Sequence, residues 1–586
     1  PIRSAVLEGA GWWKQAFERA GFIDAFRVEV LPDGVSPMDA RYNVIEWVHR
    51  STRGWSYGGG VIDPRTGELV SGHVTLGSLR IRQDRLLFEG LLGTDHTGSG
   101  AADDPVRIAL RRIRQLAAHE VGHSLGLTHN FAASTYGRAS VMDYPAPLVK
   151  ITAGGDLDLS DAYAEGIGEW DVQAIRYAYS EFPPGPDHEA RERAGLDAIL
   201  RENIDRGMLY MSDEDARPPG AAQPLGNLWD NGPDPVAGLE QALAVRRIAL
   251  ARFGEHNVAA GRPLSTLQEV LVPVYFHHRY QLEAAIKVIG GLDYAYSVRG
   301  EGPQRAVPVA ADWQRKALAA VLEVLAPQTL DLPERVVQVI LPRAPGYPAA
   351  PPNPQVSELF VGGEAPAFDP LAAAATAADM AVAGLLQRER AARLVDFHRR
   401  DAALPSFEEV LDRLIDRAFA AAPPPRAGDA AAAGRLAELR RVAQWVVVRR
   451  LLDLAGDAAA SPGVRARVEG RLETLRRALD RRAAAGAGAP GGRAAAGSAA
   501  GTGAAGAPGG IAFAAAEADG ERAHRALLAA EIRRFLERHG VEAGRPSPAA
   551  PPAPPGQPIG AEDYGGPAGY GGGWPPTLGG CSWGEP

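Results

Sequence analysis

The sequence predicts an α+β fold: a small twisted mixed sheet with a helix that carries the chemistry, then a mostly α-helical region and a disordered tail. Three observations carry this expectation. Residues 26–79 hold short β-forming runs broken by turn residues. Residues 104–125 keep helical periodicity through Ile108, Ile113, Leu116 and Val121. From about 186 to 480 the pattern is almost wholly helical and rich in Ala, Leu and Arg.

The elements follow in order. Residues 2–20 read as a helix, with Val6, Ala10, Trp13, Phe17 and Ala20 at helical spacing and Gly21 as a stop. Strands are expected at 26–31, ending in the Pro32-Asp33-Gly34 turn, and at 42–48. Residues 58–63 and 68–79 flank Pro64-Arg65-Thr66-Gly67 as a hairpin-like pair. Asp103 and Asp104 favour the N-terminus of the 104–125 helix. Another helix is expected over 167–179, closed by Phe182-Pro183-Pro184-Gly185.

That cluster sets the first boundary, giving a mixed α and β domain at 1–185 and a helical domain at 186–480. Residues 483–510 are nearly all Ala, Gly, Pro and Ser, a composition that cannot offset the entropy of ordering, so a flexible insertion is expected. Residues 511–543 should pack as a helical segment on the helical domain, and the Pro/Gly-rich tail 544–586 should be disordered.

Composition bounds the function. Apolar residues make up 46% and charged residues 23%, ordinary for a protein with sizeable cores. A net charge of −9 argues against nucleic acid or an anionic membrane surface as partner. The run 371–386 is interrupted by Asp379, so no transmembrane segment is expected. Cys581 is the only cysteine, which excludes disulfides within the chain. The chain starts at Pro1 without a charged and apolar leader, and is expected to be an N-terminally truncated fragment or processed form.

The chemistry concentrates in His119-Glu120-Val121-Gly122-His123-Ser124-Leu125-Gly126-Leu127-Thr128-His129. His119 and His123 are one helical turn apart and project from one face, as two ligands of one tetrahedral zinc require. Glu120 stands where it can approach a metal-activated water without ligating. Gly126 can adopt a left-handed conformation that ends the helix and returns His129 toward the same metal. Three imidazoles leave one coordination position open, as a catalytic zinc needs. Downstream, Ser140-Val141-Met142-Asp143-Tyr144 follows at the distance of a methionine-bearing turn.

The three-histidine stretch with Met142 resembles the metzincin metallopeptidases. Gly11 to Phe22, Asp63-Pro64-Arg65-Thr66-Gly67-Glu68, Asn130-Phe131 and His278-Arg279-Tyr280-Gln281 resemble bacterial proteins with the EcxA-type zinc-binding (Met-zincin) domain. The resemblance runs to about residue 480, with a further match at 523–539, and implies upstream domains, an upstream strand and export to the periplasm or medium. It implies Met142 as an apolar floor beneath the histidines. By resemblance to astacins and serralysins, Tyr144 can reach the metal or the oxyanion; otherwise it packs at the turn before Pro145. The reaction implied is peptide-bond hydrolysis of a polypeptide substrate, with Zn2+ as cofactor, Glu120 as general base and acid, and residues 73–79 as an edge strand for an extended substrate. The alternative is a non-catalytic, zinc-containing binding or toxin-associated subunit.

Other polar residues have plainer expectations. His73, His96, His277 and His278 lack ligand spacing and are assigned to packing or surface. The acidic run 156–161 lacks the glycine and distal glutamate of an EF-hand and is assigned to turns and caps. Ser212-Asp213-Glu214-Asp215 and Trp229-Asp230-Asn231-Gly232 are assigned to loops, and Trp12, Trp13 and Trp47 to the core.

Overall fold

A computed structural model describes residues 1–49, 56–299, 305–344, 360, 362–364, 366–419, 430–487 and 510–538. The expected tail at 544–586 and most of the 483–510 insertion lie outside them; at its flanks, one helix runs Pro462–Ala487 and another Gly510–Arg538. The chain is mostly helical with small sheets, and forms two compact units. One comprises Pro1–Val321 and Leu332–Ala377, with further residues outside the described set; the other comprises Leu322–Asp331 and Ala378–Ala550.

The first unit opens with α1 (Ile2–Gly11) and α2 (Trp13–Arg19), one expected helix broken at Trp12 by a tight turn. Strands β1 (Val44–Val48), β2 (Tyr57–Ile62) and β3 (Leu69–Gly77) form a sheet in the order β1-β3-β2. β1 runs parallel to β3, and β2 is antiparallel to it. The β2–β3 hairpin turns through Gly67, whose φ of +77° suits glycine. β3 is therefore central, which corrects the expectation that residues 73–79 form the edge. Both of its flanks are already hydrogen-bonded, so it has no free ladder to offer a substrate. Residues 26–31 also differ from expectation: Phe26 and Val28 pack on the core, but the segment pairs with no strand among the described residues.

Next come α3 (Leu79–Leu92), α4 (Pro105–Ser124), α5 (Glu169–Tyr179), α6 (His188–Asp205), α7 (Asp213–Ala216), α8 (Pro235–Arg252), α9 (Leu267–Tyr275) and α10 (Arg279–Val288). The core around α4 gathers Trp13, Phe17, Val74, Leu76, Ile113, Leu116, Val121, Met142, Val172 and Ile175. Trp13 is fully buried, and its indole N–H donates to the Ala118 carbonyl at 2.7 Å, tying α2 to the middle of α4. Residues 186–321 belong to this same unit.

In the second unit, Phe407–Phe419 buries Phe407, Val410, Leu411 and Leu414. Bidentate Arg450–Asp379 and Arg471–Asp412 pairs join its helices. Among the described residues, no single helix is long and apolar enough to cross a membrane.

Candidate metal centre

The centre is built on α4, whose start is firmly set. The Asp104 carboxylate accepts the Val106 N–H at 2.9 Å, the Gly100 N–H at 2.9 Å and the Gly98 N–H at 3.0 Å, and Pro105 occupies the first turn. Fifteen residues on, His119 and His123 share one buried side of the helix. The helix ends before Gly126, which takes φ +90°. The chain turns there, so the Leu127 carbonyl faces back to His123 and His129 returns to the first two histidines.

Each imidazole is held through Nδ1. His119 Nδ1 donates to the Val141 carbonyl at 2.7 Å, His123 Nδ1 to the Leu127 carbonyl at 2.8 Å, and His129 Nδ1 lies 2.7 Å from Asp213 Oδ2. Carbonyl oxygens only accept, so His119 and His123 carry their proton on Nδ1 and leave Nε2 as a bare lone pair. Burial pushes His119 well below the ordinary range, and His123 down to about 3, which keeps both rings neutral. Yet their Nε2 atoms stand 3.1 Å apart with no proton to share. His129 Nε2 is buried without a partner. The three candidate donor atoms lie within 4.8 Å of one another.

Facing lone pairs and an orphaned third nitrogen are unfavourable unless a cation lies among them. Imidazole nitrogens on one tetrahedral zinc stand about 3.3 Å apart, close to the observed 3.1 Å. A three-imidazole donor set suits zinc, so the residues present fit the metal.

Glu120 is buried next to this group. Burial pushes its carboxyl up to about 8, against the pull of Arg112 and of the Gly58 amide. A dication at the imidazoles would draw it back down. Gly58 lies on β2, so close to α4 that a Cβ there would collide with the Glu120 carbonyl oxygen. This close approach makes β2, an edge strand, the strand beside the centre.

Met142 is fully buried beneath α4. A Cβ at Gly122 would collide with Met142 Sδ and fall 2.7 Å from Trp13 Cζ2, so the helix rests on this floor only because residue 122 lacks a side chain. The turn itself is held from α5. Asp171 accepts the Ser140 hydroxyl at 2.6 Å, the Val141 N–H at 2.8 Å and the Gly168 N–H at 2.8 Å. Val141 thus carries Asp171 on its N–H and His119 on its carbonyl. Tyr144 packs its ring 5.1 Å from His119 and 4.8 Å from His129.

A second set of residues escaped sequence reading. The Phe131 N–H donates to the Met211 carbonyl, the Met211 N–H to Asn130 Oδ1, and the Thr128 and Tyr210 hydroxyls meet at 2.6 Å. These bonds lay residues 209–213 alongside 128–131 and deliver Asp213 to His129. Arg217 pairs with the other oxygen of Asp213, and its guanidinium covers the Phe131 and Tyr144 rings. Burial opposes ionisation of Asp213, but the His129 bond and the Arg217 charge hold its carboxyl below the ordinary range. The Trp229 ring lies 4.7 Å from that of Tyr144, and its backbone N–H donates to the Tyr144 carbonyl. The only sequence signal was an acidic, cap-like run, which any surface loop can show.

The remaining candidates lie elsewhere. His73 bonds Glu46 across β1 and β3, and His96 stands 3.8 Å from Asp103. In the 156–161 run, Asp156 pairs with Arg252, Asp161 with Lys150 and Arg138, and Asp158 accepts the Ser160 N–H. Among the described residues, His119, His123 and His129 are the only three His, Cys, Asp or Glu side chains gathered closely enough to hold a metal.

A family model described as Met-zincin matches residues 101–425, more than half of the 586-residue chain. No curated protein and no solved structure matches. The matched span contains α4, the methionine turn and Asp213. With its histidines converged over Met142, the chain belongs to the Met-zincin family.

Proposed function

We propose that this chain is a zinc-dependent peptidase that hydrolyses peptide bonds. One observation carries the reading: three buried histidines converge, with a buried carboxylate at the helical position after the first of them. His119, His123 and His129 would hold a zinc ion, which would supply Lewis acidity to the scissile carbonyl and to the attacking water. Glu120 takes the proton of that water and delivers it to the leaving amine. Tyr144, packed against two of the imidazoles, donates a hydrogen bond from its hydroxyl to the developing oxyanion. The side of β2 away from β3, which pairs with no strand among the described residues, holds an extended substrate by main-chain hydrogen bonds, the role expected of residues 73–79.

The test is zinc content and cleavage of a mixed peptide library by the wild type and by Glu120→Ala. Cleavage by the zinc-loaded wild type, lost in a variant that keeps its zinc, is the expected result. Equal cleavage by both would overturn the role of Glu120. Zinc bound by a wild type that cleaves nothing would favour a non-catalytic, zinc-containing binding subunit.

A further inference from the structure

Asp143 of the methionine turn and Asp230, which follows Trp229, are buried close enough for each to feel the charge of the other. Three bonds bring their segments side by side. The Asn227 N–H donates to the Phe131 carbonyl at 3.1 Å, the Trp229 N–H to the Tyr144 carbonyl at 2.9 Å, and the Ser134 N–H to Asp143 Oδ2 at 2.8 Å. Asp143, Asp230, Asn227 and Ser134 therefore meet where three segments of the first unit join, and each is nine-tenths or more buried.

Oxygens outnumber donors there. Asp230 Oδ1, Asn227 Oδ1 and Ser134 Oγ are buried without a partner, and the Ser134 hydroxyl stands beside Asp230. Asp230 Oδ2 accepts the Asn227 amide at a long 3.5 Å. The same amide nitrogen donates to the Pro224 carbonyl at 2.8 Å, which fixes Oδ1 as the bare atom of that side chain. Buried polar groups are nearly always satisfied, so this excess of acceptors calls for something positive. Lys287 is the cation that Asp230 feels, but its ammonium donates to the Ala216 and Gly226 carbonyls. The charges on Asp143 come from Asp230 and Asp171, both negative. Burial pushes Asp230 up to about 7, and burial with the Asp230 charge pushes Asp143 well above the carboxylate range.

We propose that Asp143, Asp230, Asn227 and Ser134 form a calcium site that clamps the methionine turn to the Trp229 loop. The donors are all oxygens, which suits a hard cation and not the zinc of the three imidazoles. Two carboxylates balance a dication. Magnesium demands a near-ideal octahedron and keeps several waters, whereas calcium accepts an irregular, enclosed set of side chains. A cation ligated at about 2.3–2.6 Å fills a gap too small for water, so the enclosure of these oxygens leaves room for it. The clamp acts on the metal centre indirectly, because Asp143 and Asp230 each adjoin one member of the Tyr144–Trp229 ring pair. The proposal does not rest on peptide hydrolysis.

The test strips the chain with EDTA, restores one equivalent of zinc, and titrates calcium chloride by calorimetry and by thermal unfolding. The wild type should bind one calcium per chain and melt at a higher temperature as calcium is added, and magnesium at the same concentrations should do neither. Asp230→Asn should keep its zinc and weaken calcium binding by about tenfold or more. Ser134 Oγ closes no hydrogen bond in the chain, so Ser134→Ala should weaken calcium binding while leaving the calcium-free melting temperature unchanged. That variant decides the matter if Asp230→Asn does not fold. A wild type that binds no calcium would overturn the proposal, and an Asp230→Asn chain more stable than it at neutral pH would then show that the two carboxyls share a proton instead. Calcium affinity unchanged in the variants would overturn it as well, because the ion would then sit elsewhere.

Discussion

Asp213 Oδ2 stands 2.7 Å from His129 Nδ1, across 84 residues of chain. The carboxylate fixes which nitrogen of His129 carries the proton, so Nε2 faces His119 and His123. Arg217 holds Asp213 from its other oxygen. Removing such a support costs roughly 10–100-fold in metal affinity. Asp213→Ala should therefore weaken zinc binding by about that factor in a chelator competition, while Asp213→Asn, which keeps an acceptor oxygen, should lose less. Unchanged affinity in Asp213→Ala would show that the turn alone orients His129.

Asp171 offers a pH test away from the imidazoles. Burial pushes its carboxyl up to about 7, although three hydrogen bonds pull it down. Its folded value lies above the ordinary 3.8, so the folded chain holds this proton more tightly than the unfolded one. The stability it contributes is fully present below about pH 4 and is lost as pH rises through 7. Asp171→Asn mimics the protonated form. Relative to that variant, the wild type should lose up to about 4 kcal/mol between those limits, from roughly 1.4 kcal/mol per unit. Unfolding midpoints of both proteins across the range measure the difference, and parallel curves would contradict it.

Two glycines should be intolerant of alanine, and unequally. At Gly122 the added methyl meets Met142 Sδ and Trp13, side chains that can shift a little. Overpacking of this kind costs about 1–3 kcal/mol, more than the gain of up to about 1 kcal/mol in helix propensity. Gly122→Ala should lower the melting temperature and loosen zinc. At Gly58 the obstacle is the Glu120 carbonyl, which α4 holds rigidly. Gly58→Ala should therefore push β2 away from the helix and lose more activity than stability. Stability and peptide cleavage measured together separate the two.

The sequence revealed what local rules govern. His119, His123, Gly126 and His129 declare themselves by spacing alone, because one helical turn and one left-handed residue suffice to gather them. Met142 was legible only through its distance from His129. Asp171 and Asp213 were not legible, because each supports the centre through the fold. Any of the chain's 71 acidic residues could have met His129, and only the bonds joining 209–213 to 128–131 select Asp213. Helix α3 was missed for another reason. Its buried side opens with Arg80 and Asp84 and only then continues with Phe88 and Leu91, so the binary pattern of its first half is inverted. The edge strand was misplaced because hairpin partners look alike until the parallel strand β1 covers one of them.

Tyr144 is the residue on which packing and chemistry make opposite predictions. Its ring is fixed by His119, His129 and, at 4.7 Å, Trp229, with Arg217 over its face. Arg217 Nη2 donates to its hydroxyl oxygen at 3.3 Å, which orients the phenol and strengthens it as a donor toward an oxyanion. Tyr144→Phe preserves every ring contact, so zinc content and melting temperature should stay within the small range of a surface substitution. If the hydroxyl donates only in the transition state, kcat should fall about 100-fold with KM little changed. An unchanged kcat would make Tyr144 a packing residue at the turn before Pro145, and would assign oxyanion stabilisation to the metal alone.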